Sequence, residues 1–557
     1  MTPPWLDDPA MPPAIADMLL AGTVGRDHLL RVAAMAGETA ARVPADARPD
    51  WHRRQALLLS AALEEDSLFG PAAGRLLTAV KDQPEAGGVV SPAFAALLED
   101  FAGRFSVPEN TSYYQRLVAG GVEKRLDDYL ENECRTGRHS LFWLHVALRR
   151  AVLRQNFAWA LACLQKAMPR SLEPLRAKLS GDLALLAGQP EQALACYKAS
   201  QAAAPWPAGL ARLGMAARQC GDTRTAMANF TAALAAMPEH ATAALALYDL
   251  AFGRNQGRAP LPDNLAIALY TYNKAVDLDL TLASLFATDI GQARTVVLDN
   301  ASTDDTPAVI AAWTDRVGAA RLRGIRLPVN IGAPAARNWL AADPDIGQAD
   351  HVAYLDDDVD LPPDWLGRLA AAAVCYPEAG VWGCHVADAA NPAIAQGIDA
   401  MLLPPSPDAP GTPQPRLGDA HAQGFDYGAF AHMRPCLTVM GCCHLFRRER
   451  LLAAGGFDIR YSPSQYDDVD HDLRLVLAGR PPVYQGHLTV RHRRPAPVLC
   501  PPRPDQLAGG QANYAKLMAK HAAHFDELAA TLRTAVGGDL SQKWMEMETR
   551  GLIASKT

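Results

Sequence analysis

From residue 265 onward, short apolar runs alternate with helical stretches. The runs are LAIALY (265–270), RTVVLD (294–299), ARLRGIRL (320–327), HVAYLD (351–356) and GVWGCHV (380–386), with helical patterns at 276–288, 306–316 and 333–342 between the first four. Runs this short, apolar and β-branched, separated by one helix each, predict a parallel sheet with helices on both faces. In such sheets ligands bind outside the carboxyl ends of the strands, so the residues that close each run are the ones to read for chemistry.

Three runs end in polar clusters: Thr271-Tyr272-Asn273, then Asp299-Asn300-Ala301-Ser302-Thr303-Asp304-Asp305, then Asp356-Asp357-Asp358. Neighbouring strand ends bring these segments into one crevice. Ser302 to Asp305 also suit a turn and helix cap, which accounts for most of their side chains. The aspartate trio is different, because three adjacent carboxylates at a strand end repel one another unless a cation sits between them. Alternate residues of an extended segment point the same way, so Asp356 and Asp358 can share a ligand sphere while Asp357 turns elsewhere. A hard divalent ion, Mg²⁺ or Mn²⁺, bridging a diphosphate fits that donor set. The competing reading is a solvated acidic loop.

The rest of the chain is of another kind. Residues 12 to 255 are rich in Ala and Leu at helical spacing, and the second half of that stretch repeats: Gly188 and Gly221, Ala193 and Ala226, Tyr197 and Phe230, Pro205 and Pro238 are each 33 apart. Each unit places small residues (Gly181, Ala193; Gly214, Ala226) where two helices approach, an aromatic (Tyr197; Phe230) beside them and a proline where the second helix stops. The polar stretch 251–264 reads as a linker. At 557 residues the chain has room for three or four domains. Its 53 basic against 60 acidic residues exclude a generic nucleic-acid binder. Ten scattered cysteines without a CxxC pair exclude a zinc ribbon or disulfide scaffold, and Cys442-Cys443 reads as core. The start lacks a secretory pattern and no apolar run reaches membrane-spanning length, which predicts a cytoplasmic protein.

The motifs carry two resemblances. The repeat resembles the tetratricopeptide repeat, one residue short of its usual period. LAIALYTYNKAVDLDLTLASL, TVVLDNASTDDT, NIGAPAARN (330–338), YLDDDVDLPPDWL, MGCCHLFRRERLLAAGGFD and YDDVDHDLRLVLAG, spread over residues 263 to 495, resemble in order and spacing the family 2 glycosyltransferases of GT-A fold. The expected fold is thus an α/β GT-A domain, Rossmann-like with a mainly parallel sheet, preceded by an all-α tetratricopeptide-like solenoid. Its expected divisions are a helical region over 1–138, the repeat-like domain over 139–255, the GT-A domain over 256–500 and a helical extension over 501–557.

The resemblance implies an inverting, metal-dependent transfer of a sugar from a nucleoside-diphosphate sugar, a UDP-sugar foremost, to a hydroxyl of a glycan or protein acceptor recruited by the repeats. Thr271, Asn273, Asp299 and Ser302 would line the nucleotide pocket, Asp299 facing the base. Arg337 would contact base or phosphates, and Asp356 or Asp357 the ribose. Asp358 and His492 would hold Mn²⁺ or Mg²⁺, although His492 also fits a surface position in a basic turn. Asp468 would be the general base, with Gly441, Gly456 and Asp467 on the acceptor and donor-sugar side. Arg491, Arg493 and Arg494 would form a lid over the diphosphate, and the Pro-rich stretch 387–434 would border the acceptor site. Acceptors of this kind are built at the inner membrane face, which adds peripheral membrane association. The alternative is a repeat scaffold whose glycosyltransferase-like domain binds nucleotide without turnover.

Overall fold

The computed structural model describes residues 2–83, 88–405, 415–418 and 424–554. It divides into two compact units, Met1–Leu247 with Phe425–Ala429 and Trp544–Thr557, and Tyr248–Gly424 with Phe430–Lys543.

The first unit is all helical among the described residues. In its second half the helices form antiparallel pairs, Glu173–Leu186 with Pro190–Ala203 and Gly209–Gln219 with Thr223–Ala236. The two pairs are built by the same residues at the 33-residue offset. Gly188 and Gly221 end the first helix of each pair at φ +73° and +75°, a conformation that a side chain strains, and so turn the chain back on itself. A Cβ on Gly181 would stand 2.6 Å from the Tyr197 ring and one on Gly214 2.7 Å from the Phe230 ring, so the glycines are where the aromatics enter. Asp222 caps its helix by accepting from Thr225 N at 3.0 Å.

A charged cluster lies inside this unit. Lys178 Nζ stands 2.7 Å from Asp182 Oδ2 and 3.4 Å from Glu64 Oε1, and Tyr197 donates to Asp182 Oδ1 at 2.8 Å. Arg212 pairs with Glu65 at 2.8 Å and lies 3.8 Å above the Tyr427 ring. All four of Glu64, Lys178, Asp182 and Arg212 are buried.

The second unit is built on one mixed sheet. Its strands, with the small pair β8 and β9, are β1 (Leu265–Thr271), β2 (Arg294–Asp299), β3 (Leu322–Arg326), β4 (His351–Leu355), β5 (Val359–Asp360), β6 (Val381–Asp388), β7 (Ala395–Gly397), β8 (Met401–Leu403), β9 (Arg416–Gly418), β10 (Met433–Pro435), β11 (Cys443–Arg447) and β12 (Val483–His492). The main order is β10-β12-β6-β11-β4-β1-β2-β3, with β5 on β12 and β7 on β6. Strands β4, β1, β2 and β3 are parallel neighbours, as their apolar runs predict. Helices Ala275–Phe286, Thr306–Val317 and Ala333–Ala342 connect them.

The sheet departs from the mainly parallel expectation beyond β4. Strand β11 enters antiparallel between β4 and β6, and β10, β5 and β7 also pair antiparallel. The physical reason lies in Cys443-His444-Leu445-Phe446, buried on both faces. A run that apolar in a four-residue window has no alternation to announce a strand. Its insertion matters for the site, because the amino end of β11 lies beside the carboxyl end of β4: Asp356 N donates to Cys442 O at 2.9 Å. Both Cys442 and Cys443 are core residues, as expected.

The Pro-rich loop was expected to border the acceptor site, but residues 406–414 and 419–423 of it lie outside the described residues.

Candidate active site

The register of the sheet assembles the site. Thr271 pairs with Asp299 across β1 and β2, and Leu269 with Leu355 across β1 and β4, so the three polar clusters emerge side by side. The β1 and β2 turns then lock together. Asn273 adopts φ 53°, which asparagine tolerates, donating its N–H to Ser302 Oγ at 2.9 Å and accepting from Thr303 N at 2.7 Å. Asp299 Oδ1 accepts from Ser302 N at 2.8 Å. Its other oxygen, Oδ2, is buried without a hydrogen-bond partner among the described residues, 3.5 Å from Arg326 Nε. Asp299 and Arg326 also line a cavity of about 490 Å³ against Ile310 and Gly324.

The aspartate trio splits, although it lies in the turn between β4 and β5 and not on an extended segment. Asp356, Asp358 and His492 each turn a ligand atom to a common point, all within 4.8 Å of one another. Asp357 stands outside that group, with Oδ1 3.9 Å from Lys274 Nζ. Two carboxylate oxygens and one imidazole nitrogen so placed form a candidate site for a divalent cation. His492 Nε2 stands 2.9 Å from Asp358 Oδ1, while Lys274 Nζ pairs closely with Asp358 Oδ2. Burial opposes the Asp358 charge, but His492 and Lys274 outweigh it and hold that carboxyl well below the usual range. The same Asp358 contact raises His492 against its burial. Burial and then the charge of Asp358 push Asp357 up to about 7, and burial raises Asp356.

Arg337 ties several of these segments together. It is buried between the Tyr270 and Phe457 rings, each centroid 5.2 Å away, with Nη1 2.6 Å from Asp467 Oδ2 and Nη2 3.5 Å from Asp356 Oδ1 and 3.3 Å from Gly441 O. The guanidinium is thus committed to protein partners. Asp467 and Asp468 open the helix Asp467–Leu477, where the helix dipole favours negative charge. Burial raises Asp467 to about 6, with Arg337 opposing and Asp468 adding to the shift. Asp468 is only half-buried and accepts from Gly441 N at 3.0 Å. A Cβ on Gly441 would meet Asp468 Oδ2 at 2.7 Å, so only glycine leaves that carboxylate its place. Gly456 lies elsewhere, at φ +66° against Asn338, whose amide holds the backbone of Phe457 and thereby the ring under Arg337.

Sequence reading missed four participants. Tyr270 donates to Asp356 Oδ1 at 3.1 Å, and Lys274 occupies Asp358. Behind His492, Gln396 Oε1 lies 2.8 Å from Nδ1, while Gln396 Nε2 donates to Asp388 Oδ2 and to Arg494 O, each at 2.8 Å. Gln396 and Asp388 fall in or beside the stretch taken for a loop, and nothing local marks them. The expected lid of arginines takes a different form. Arg491 belongs to β12, and Arg493 is tied to Asp277 O, Thr281 Oγ1 and Val359 O at 3.0, 3.0 and 3.2 Å. Of the three only Arg494 lies past the strand and exposed.

Residues 266–451 match the family model described as glycosyl transferase family 2. An N-acetylglucosaminyl-diphospho-decaprenol L-rhamnosyltransferase of Mycobacterium tuberculosis is 28% identical over 302 residues, covering 50% of this chain and 92% of that protein. The O-antigen biosynthesis protein RfbC of Myxococcus xanthus is 26% identical over 185 residues, 33% of this chain and only 13% of that protein. Among solved structures, the mannosyltransferase PcManGT from Pyrobaculum calidifontis, in complex with GDP-Man and Mn²⁺, aligns with a TM-score of 0.36 and 17% identity over 59% of this chain and 88% of that one. The match to glycosyl transferase family 2 thus falls on residues of the sheet, and an all-helical region precedes it in the chain. No helix among the described residues is long and apolar enough to cross a membrane.

Proposed function

We propose that the protein is an inverting, metal-dependent glycosyltransferase that moves a sugar from a nucleoside-diphosphate sugar to a hydroxyl of a glycan or protein acceptor. The observation that carries this reading is the convergence of two unlike carboxylate groups beyond the carboxyl end of β4. One is the cation triad Asp356, Asp358 and His492; the other is Asp468, presented at a helix start by Gly441.

The division of labour follows from what each residue is already doing. Asp299 Oδ2, buried without a hydrogen-bond partner among the described residues, is placed to accept from an N–H of the base. The donor is foremost a UDP-sugar, with Thr271, Asn273 and Ser302 shaping the pocket. Asp357 is left to face the ribose, because Asp356 belongs to the triad. Asp356, Asp358 and His492 would hold Mn²⁺ or Mg²⁺, which when bound offsets the charge that builds on a departing diphosphate.

Asp467 is buried with Oδ2 engaged by the Arg337 guanidinium, whereas Asp468 is half-buried and its two oxygens are held, among the described residues, by backbone N–H groups. Asp468 therefore accepts the proton of the attacking hydroxyl, and attack from the face opposite the diphosphate inverts the anomeric carbon. The paired helices repeating at 33 residues support a tetratricopeptide-like arm that recruits the acceptor.

The test is release of nucleoside diphosphate by purified protein given Mn²⁺ and a panel of nucleotide sugars. Asp358→Ala and EDTA should each lower release by about a thousandfold or more, and Asp468→Asn by about 10²–10⁴-fold without weakening nucleotide binding. Release that survives EDTA and both substitutions would refute the assignment.

A further inference from the structure

One member of the cation triad, Asp358, already carries a cation of the chain's own. Lys274 Nζ pairs with Asp358 Oδ2, the oxygen that His492 leaves free, and lies 3.9 Å from Asp357 Oδ1. We propose, on the glycosyltransferase reading above, that Lys274 is the resident counter-cation of the unloaded metal site, and that the divalent ion must displace it from Asp358 to bind.

Three features of the residue suit that role. Its backbone is fixed: Lys274 precedes the helix Ala275–Phe286, and its N–H donates to Thr306 Oγ1 at 3.3 Å. Its tail is not, since the side chain is 34% exposed on a flexible four-carbon stem. A second partner also stands within reach, because Asp277 Oδ2 lies 3.8 Å from the same ammonium and is itself 37% exposed. The lysine therefore has somewhere to go when Asp358 is taken, one turn along its own helix.

The arrangement solves a problem set by the trio. Asp356, Asp357 and Asp358 are adjacent and largely buried, and without a positive charge between them the strand end would be held open by repulsion or by protonation. Lys274 sets a positive charge against Asp358 and holds that side chain in place while the site waits. Once released, the ammonium remains beside the position assigned to the diphosphate, where a point charge favours phosphate oxygens. Metal and lysine thus compete for Asp358 in the free protein and act on the same side of the charge balance when nucleotide is present.

The competition has a sign that a merely structural ion pair would not give. Mn²⁺ is titrated into nucleotide-free wild type, Lys274→Met, Lys274→Arg and Asp358→Asn, with free Mn²⁺ read by electron paramagnetic resonance. Lys274→Met should bind Mn²⁺ at least about tenfold more tightly than wild type, because a competing unit charge is gone from the ligand shell. Lys274→Arg keeps the charge and should stay near wild type, and Asp358→Asn should lose binding. If Lys274→Met binds Mn²⁺ no tighter than wild type while Asp358→Asn loses it, the metal site stands and the counter-cation role is overturned. If Asp358→Asn leaves binding unchanged, the site itself is misassigned and the proposal falls with it.

Discussion

Each of the two units buries a charged cluster, and the clusters are balanced differently. In the helical unit Glu64, Glu65 and Asp182 face Lys178 and Arg212, with the Tyr197 hydroxyl donating to Asp182. In the sheet unit Asp356, Asp357, Asp358, Asp467 and Asp468 face, among the described residues, Lys274 and Arg337, with His492 as a further, titratable partner. The first set nearly closes on itself and holds helices together. The second leaves an excess of negative charge, and a fold tolerates that at a strand end when a cation is to be bound there. Buried charge by itself says little about function; the uncompensated remainder says more.

The comparison breaks if the helical cluster proves dispensable. Lys178→Met leaves Asp182 and Glu64 without their shared partner, and removing one member of a buried pair costs about 3–5 kcal/mol. Urea unfolding should show a loss of that size, while Mn²⁺ affinity stays at the wild-type value. A variant as stable as wild type would mean that water or protonation already compensates these acids.

The opposite behaviour is expected at the site. Asp467 has a folded-state value of about 6 against an ordinary 3.8, so the unfolded chain ionises it more readily than the folded one does. Its contribution therefore turns unfavourable as pH rises from about 4 to 6, and complete ionisation costs roughly 3 kcal/mol. Asp467→Asn, which mimics the protonated acid, should gain stability over wild type across that window, measured in EDTA as the difference between the two at pH 4 and at pH 7. A difference independent of pH would show that Arg337 already offsets the Asp467 charge in full.

How much of this was legible in the sequence depended on range. Strands β1, β2 and β4 could be read because each is a short buried run closed by polar residues, whereas the trio that follows β4 lies in a turn that strand alternation does not describe. Strand β11 could not, since CCHLF carries no alternation and is ordered by strands far away in the chain. The partners of the metal ligands were hidden for the same reason. Lys274 is 84 residues from Asp358, and Gln396 is 96 from His492, so no local spacing links them. Arg337 was visible as a functional arginine, yet only the fold reveals that Asp467 and two aromatic rings claim it.

Gln396 gives the finest test of the open cluster, because it acts on the triad from behind. Asp388 can only accept, and it already takes backbone N–H groups from Ala390, Asn391 and Ala496 at 2.9, 2.9 and 2.7 Å. The Gln396 amide nitrogen must therefore face Asp388 and Arg494 O, which turns its oxygen to His492 Nδ1. Nδ1 then carries the proton, and Nε2 is the atom left to ligate. Gln396→Leu removes that orientation without touching a carboxylate, and should weaken Mn²⁺ binding by about 10–100-fold, the usual cost of losing such a partner. Gln396→Glu restores the acceptor for Nδ1 but sets a second carboxylate against Asp388, so it should recover only part of the loss. Equal Mn²⁺ affinity in wild type and Gln396→Leu would place His492 outside the ligand set, and the triad would reduce to its two aspartates.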